Sequence, residues 1–294
     1  MSVGSVALRS PPVAVFVFDG LPVGWQVFFG LALVVVALMF AWSTVLFLRS
    51  GRAERRAPAP TANGTDAFTW VFLVPALNEE LTIRDSVSRL LAIPVAHRCI
   101  IVIDDASDDA TAAVLASIES PDLVVLHRSL PDARRGKAAA LNFAYRSLGA
   151  HLAKELGTDP REHVIVVVVD ADGRLHASAP GFAAAHFTDP SVGGVQSRVR
   201  IYNRGQLLTW LQDLEFGIYA HLFQSGRNDW GTAGMGGNGQ FNRLRALDDI
   251  AGEAGPWRDR LTEDQDLGLR LMTRGWQGRQ DVRATVDQQG LARL

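Results

Sequence analysis

From Val27 to Leu48 the chain runs for 22 residues without a charge, with only Ser43 and Thr44 polar. As a helix rising about 1.5 Å per residue, this stretch covers the roughly 30 Å hydrocarbon core of a bilayer. The pattern then changes to short apolar runs, each followed by a stretch with helical spacing. Thr69 to Val74 reads as a strand ending at Pro75, and Glu79 to Leu91 as a helix with Asn78 as its N-cap. Cys99 to Ile103 is a second strand, and its turn DDASDDAT offers Ser107 or Asp108 as the cap of a helix running to about Ser117. Leu123 to Leu126 is a third, and beyond the basic loop RRGK a long helix is expected from Ala138 to Leu156. Val164 to Val169, six apolar residues of which five are valine, has the composition of a strand buried on both faces. This alternation predicts an α/β domain, a mainly parallel sheet with helices on both faces.

The same pattern divides the chain into an extracytoplasmic segment (1–24), a transmembrane helix (25–48), a basic then Pro/Ala-rich linker (49–67) and a globular domain (68–294). Arg49, Arg52, Arg55 and Arg56 follow the apolar run, against Arg9 alone before it. The positive-inside bias therefore expects the amino terminus outside the plasma membrane and the domain in the cytoplasm. A cleaved signal peptide fits less well, because the run is long, starts late and has no small-residue cleavage site before the arginines.

Composition narrows the partners. A formal net charge of −2 with no basic stripe gives no footprint for nucleic acid. The single cysteine, Cys99, sits in an apolar run, cannot make an internal disulfide and fits a reducing compartment.

The chemistry-bearing residues fall at strand ends, where open α/β sheets bind ligands. Asp170 and Asp172 close the valine run, and two hard oxygen ligands there suit Mg or Mn holding a phosphate. Read blandly, they belong to an Asp-Gly turn. Asp104 and Asp105 close a second strand. A phosphorelay receiver would place a lysine after a later strand, whereas the last lysine here is Lys154. GMGGNG at 234–239 superficially fits a dinucleotide fingerprint, yet it comes late and leads into the polar QFNR. These glycines instead let backbone approach a ligand, with Asn238 and Gln240 as hydrogen-bonding side chains. Trp230, Trp257 and Trp276 are candidates for stacking on a ligand ring, though core or interface packing is the commoner role of tryptophan.

Pro75, Asn78 and Glu79 in VPALNEE, the pair in IDDAS, Lys137 and Asn142 in RGKAAALN, DAD at 170–172 and TED at 262–264 occur in that order. In this the chain resembles family 2 glycosyltransferases, and more narrowly their membrane-embedded branch of cellulose, hyaluronan and chitin synthases and glycolipid glucosyltransferases. The resemblance covers 70–290 and implies a GT-A-type nucleotide-sugar-binding domain. Ala76 or Leu77 stands where the family's first motif usually has a small polar or aromatic residue. The Gln-x-x-Arg-Trp motif would fall beyond Leu294, so truncation relative to the family is expected.

The resemblance also implies roles. Pro75, Asn78, Glu79, Asp104, Asp105, Lys137 and Asp170 would bind the UDP-sugar. Asp170 and Asp172 would hold the Mg or Mn that takes up charge as UDP departs. Asp264 would be the general base, with Glu263, Asn238 and Gln240 on the acceptor side. Each position has a plainer reading: Asp104 or Asp105 as a helix cap, Lys137 in a solvated basic loop, and Thr262 to Asp264 as a capping motif. The implied activity is inverting transfer from a UDP-sugar to a growing β-linked polysaccharide, with single transfer to a lipid as the alternative. A non-catalytic nucleotide-binding membrane protein is the reading from another class.

Overall fold

The computed structural model describes residues 18–61, 63–156 and 161–291, in two compact units, Met1–Thr44 and Val45–Leu294. Helix α1 (Val23–Arg56) begins in the first; among the described residues it alone is long and apolar enough to cross a membrane. The helix does not stop at Leu48, where the apolar run ends, but continues through the arginines to Arg56. Arg, Ala and Glu are good helix formers, Ser50 and Ala53 are buried, and Pro58 enforces the stop.

In the second unit the predicted alternation is present: β1 (Thr69–Ala76), α2 (Ile83–Leu91), β2 (His97–Asp104), α3 (Thr111–Ala116), β3 (Leu123–His127), α4 (Lys137–Leu156) and β4 (Val164–Val168). The remainder is β5 (Arg174–Leu175), α5 (Ala179–Phe187), β6 (Val192–Ile201), α6 (Leu207–Ile218), β7 (Gln240–Arg243), α7 (Leu244–Ile250), α8 (Glu263–Thr273) and β8 (Gln277–Gln288). Two caps differ from expectation. Asn78 has a left-handed φ of 60° and α2 starts only after Thr82, while the first N–H of α3, at Thr111, is capped by the Asp109 carboxylate at 2.9 Å.

The sheet order is β3-β2-β1-β4-β7-β6-β8-β5. β3, β2, β1 and β4 are parallel, and β7 runs antiparallel between β4 and β6. Alternating residues build two cores. Trp70, Phe72 and Val74 of β1 face α2 and α5, while Val71 and Leu73 face α4, α7 and α8. The chain moves outward from β1 to β3 and then returns to β4 on the other side of β1. That reversal opens a crevice beyond the carboxyl ends of β1 and β4, the topological switch point of such a sheet.

Away from the crevice, His186 and Arg283 both donate to Asp281, and Arg283 also reaches the Pro58 carbonyl at 2.8 Å, tying the segment after α1 to β8. Burial raises the Asp281 pKa, but the bonds from Arg283 and His186 outweigh it and bring the carboxyl down to about 2.

Candidate active site

A cavity of about 580 Å³ occupies the switch point, walled by Pro75 to Leu77 and Glu79 after β1, Asp105 after β2, Arg134 and Lys137 around the start of α4, and Asp170 to Asp172 after β4. Each wall residue sits where its strand or helix ends. Gly136, at φ 88°, turns the chain so that α4 begins with Lys137, whose ammonium pairs with the Asp170 carboxylate.

The acidic side of the cavity is short of positive charge. Burial raises the pKa of Asp172, and neighbouring Asp170 raises it further, against a backbone N–H from Gln289 and the charge of Lys137. Burial likewise raises Glu79, which Asp172, Asp109 and Asp170 push in the same direction despite a 2.6 Å bond from Thr82. Among the described residues no group of three His, Cys, Asp or Glu forms a ready-made metal cage. A Mg-type site does not need one, because such ions take one or two carboxylates plus phosphate oxygens. Two repelling carboxylates, with the Lys137 ammonium standing in as counter-cation, therefore fit a divalent ion that arrives with a diphosphate.

Asp264 lies in the first turn of α8, where the helix dipole favours a carboxylate. Its position is fixed relative to the cavity by Gly237, at φ 75°. A Cβ placed there would stand 3.2 Å from Asp264 Oδ2 and 3.7 Å from Lys137 Nζ. The proposed base and the counter-cation of Asp170 thus face each other across one glycine.

The loop carrying that glycine is held by buried amides. Gln196 accepts from Gly236 N and donates to the Asn238 carbonyl, both at 2.8 Å, and Gln224 accepts from Gly234 N at 2.7 Å. Asn238 accepts from Asp170 N at 3.2 Å, joining the loop to the end of β4.

Similarity to known proteins spans these same elements. The profile described as "Glycosyltransferase like family 2" matches residues 69–279. The chain belongs to glycosyltransferase family 2. It is 30% identical over 267 residues to the beta-monoglucosyldiacylglycerol synthase of Synechocystis sp., covering 86% of this chain and 52% of that protein. It is 29% identical over 222 residues to the poly-beta-1,6-N-acetyl-D-glucosamine synthase of Staphylococcus aureus, covering 74% and 49%. The chain therefore spans about half the length of these curated relatives. A solved mannosyltransferase from Pyrobaculum calidifontis, in complex with GDP-Man and Mn²⁺, shares the fold with a TM-score of 0.63 at 19% identity over 90% of this chain and 69% of that one. Glucosyl-3-phosphoglycerate synthase from Mycobacterium tuberculosis, solved with Mn²⁺ and UDP, gives 0.50 at 23% identity over 80% and 76%. The GT-A-type α/β fold expected from the sequence is present.

Within this family 2 domain, Pro75, Glu79, Asp105, Lys137, Asp170 and Asp172 all line the cavity. Asp104 does not. It is buried, accepts from Ser107 N and His127 Nδ1 at 3.0 Å each, and shapes the turn after β2. Asn78 also lies outside the lining and makes a two-way bond with Asp108, clamping the loops after β1 and β2 together. The acceptor-side expectation for Gln240 is corrected: it is 1% exposed and donates to Asn242 inside the sheet. Asn238, 3% exposed, is a strut of the glycine loop rather than an open hydrogen-bonding face. Glu263 is the first residue of α8, beside Asp264. Of the tryptophans, Trp257 is core, Trp276 donates to Asp249, and Trp230 lies under the Arg49 guanidinium at 4.0 Å.

Sequence reasoning missed Arg128, and it left open the partners that Arg134 and Asn142 take in the family 2 site. Arg128 is buried and pairs with Asp105, fixing that carboxylate in the cavity wall. Arg134 bonds the Ala106 carbonyl and pairs with Asp108 at 2.8 Å, closing the wall above it. Asn142 makes two bonds to the backbone of Trp257, donating to its carbonyl at 2.6 Å and accepting from its N–H at 3.1 Å. That clamp pins the loop leading to Asp264. Its only sequence trace was the position of Asn142 in the RGKAAALN motif.

Proposed function

We propose that this domain transfers a sugar from a UDP-sugar to an acceptor hydroxyl, with inversion, at the cytoplasmic face of the plasma membrane. The observation that carries the reading is that Asp170, Asp172 and Lys137 line one cavity while Asp264 stands opposite Lys137 across Gly237. Asp105, held by Arg128, offers a fixed acceptor to the nucleoside. Lys137, freed from Asp170 when a diphosphate arrives, donates to phosphate oxygens as a mobile cation. Asp170 and Asp172 would hold Mg or Mn, which supplies charge stabilisation to the departing UDP. Asp264, at the start of α8, takes the proton of the acceptor hydroxyl as that oxygen attacks the anomeric carbon from the side opposite the diphosphate.

The acceptor in our reading is a growing β-linked polysaccharide, in keeping with the poly-GlcNAc synthase relative. A lipid acceptor is the second reading, favoured by the longer match, 86% of this chain, to the glucosyldiacylglycerol synthase. Helix α1 anchors the domain, with the amino terminus outside. The test is to incubate membranes containing the full-length protein with a panel of UDP-sugars, with and without Mg or Mn. Metal-dependent transfer into a polymeric or lipid-soluble product is expected. UDP binding without any turnover would move the protein to the non-catalytic class.

A further inference from the structure

Helix α4 borders a second cavity besides the one at the switch point. Lys137 and Ala140 line the first, while Ala138, Ala139 and Asn142 line another of about 1050 Å³. Its opposite wall is the loop 252–260, which runs on into the segment carrying Asp264. That volume is at the upper end of small-molecule sites, which enclose about 300 to 1,000 Å³. Ala138 and Ala139 leave open space that longer side chains would fill, and Phe143 adds an aromatic edge.

Four guanidinium groups stand around this apolar floor: Arg135 just before α4, Arg146 on it, and Arg258 and Arg260 on the loop. None is neutralised closely. Arg146 donates to the Ala254 carbonyl at 2.8 Å, and Arg135 lies 3.9 Å from Asp132. Arg258 and Arg260 are exposed and, among the described residues, have neither a hydrogen bond nor an ion pair, although Glu253 and Asp259 share the lining. Guanidinium forks converging from two walls suit a phosphate monoester, whose three acceptor oxygens point in different directions, better than a flat carboxylate.

The loop is also fastened at both ends to functional helices. Asn142 clamps Trp257 and Arg146 holds Ala254, both from α4, the helix that begins with Lys137. Arg270 of α8, the helix that carries Asp264, donates to the carbonyls of Ile250 at 3.0 Å and of Pro256. A ligand joining the loop to α4 would therefore brace the link between donor-side and base-side helices.

We propose that this cavity is an effector site for an organic phosphate, its body on the Ala138 and Ala139 floor and its phosphate between the α4 arginines and Arg258 with Arg260. The binding is independent of the UDP-sugar reading, and the effect on turnover rests on it.

Calorimetry on the full chain in phosphatidylcholine nanodiscs, with Mg and UDP filling the first cavity, tests the site with phenyl phosphate, which carries no alcohol to serve as acceptor. Phenyl phosphate is expected to bind at one site, several-fold tighter than inorganic phosphate or phenol. Arg258→Ser combined with Arg260→Ser should weaken it by about tenfold or more, as expected for losing charged hydrogen bonds, with UDP affinity, Tm and basal turnover at parent values. No binding, or equal binding in parent and double variant, would overturn the site. Affinity no better than that of inorganic phosphate would overturn the organic body. Turnover should rise several-fold with phenyl phosphate in the parent and stay flat in the double variant; binding with kcat unmoved would overturn the effector role. Loss of UDP binding and transfer with phenyl phosphate still bound would strike the UDP-sugar reading and uphold the site. Discs in which phosphatidic acid replaces part of the phosphatidylcholine separate the sources: weaker apparent binding of the probe there assigns the site to a lipid phosphate, and unchanged binding assigns it to a soluble one.

Discussion

Gly237→Ala is the most informative single change, because it puts one methyl group between the two halves of the site. The residue sits at φ 75°, so alanine there carries a conformational cost of about 1–2 kcal/mol. The new Cβ would be an ordinary contact from Lys137 Nζ at 3.7 Å but a tight one from Asp264 Oδ2 at 3.2 Å. Relief therefore comes from the Asp264 side, by a shift of a few tenths of an ångström. A misplacement of about 1 Å costs on the order of 10²-fold in rate, so this smaller shift is worth roughly 4- to 10-fold in kcat. Gly237 is not among the lining residues of the cavity, and UDP affinity is expected to stay at the parent value. The assay pairs calorimetric UDP titration with turnover in the full chain, and a melting curve confirms the fold. A lowered Tm with unchanged kcat would refute the reasoning, since Asp264 would then not be acting at that position. Weakened UDP binding with unchanged kcat would refute it differently, by assigning Gly237 to the donor side.

Other changes probe each part separately. Asp264→Asn is expected to slow turnover by about 10²- to 10⁴-fold with UDP binding intact; if Glu263→Gln does this instead, the base sits one residue earlier. Asp172→Asn removes a carboxylate that burial and Asp170 already disfavour, so melting without ligand should occur at a higher temperature while metal-dependent UDP affinity collapses; retained affinity in calorimetry would sink the metal assignment. Glu79 and Asp172 both have raised pKa values, so the ligand-free domain is favoured below their usual range near 4 and loses that contribution as pH rises through the raised values. The Tm gain on adding Mn with UDP should therefore grow from pH 4 to 7, and a flat gain in a thermal-shift series would contradict it. Asn142→Ala leaves the N–H and carbonyl of Trp257 without their partner, at about 1–3 kcal/mol for each buried group, read as a reduced denaturant midpoint.

The half of the fold that was legible in the sequence is the half built from uninterrupted apolar runs. β1, β2 and β4 lie at the centre of a parallel sheet and are buried on both faces, so nothing polar blurs them. The second half was left without assigned elements because its strands carry polar residues inward. VGGVQSRVRI shows neither an unbroken apolar run nor a clean alternation, yet Val192–Ile201 is a ten-residue strand. Its Gly193 and Gly194 make room for Trp276 and Met235, and its Gln196 and Ser197 are buried to hold the glycine loop. β8 escaped notice for the same reason. At the site, the carboxylates were visible because strand ends are where such groups do chemistry. Asp104 and Asn78 lie outside the lining of the cavity, and a sequence does not show which of two adjacent polar residues turns outward.

Buried glutamines also tie the helical segment after β6 to the glycine loop of the site. After Ile218 the helix widens into a π-helical turn, Tyr219–Gln224, an irregularity that recurs at functional positions in helices. Insertion of an extra residue per turn rotates the rest of the segment about the helix axis, and Gln224, 2% exposed, comes to face the core, where it accepts from Gly234 N. Three residues on from Gly234 is Gly237, with Asp264 and Lys137 on either side. A regular helical continuation of α6 would carry residue 224 around the axis and away from that N–H. The π-turn is thus what brings the Gln224 amide to the glycine loop. The segment after β6 in this way holds the loop that stands between Lys137 and Asp264, so the spacing of these two groups depends on a buried amide more than ten residues away in the chain.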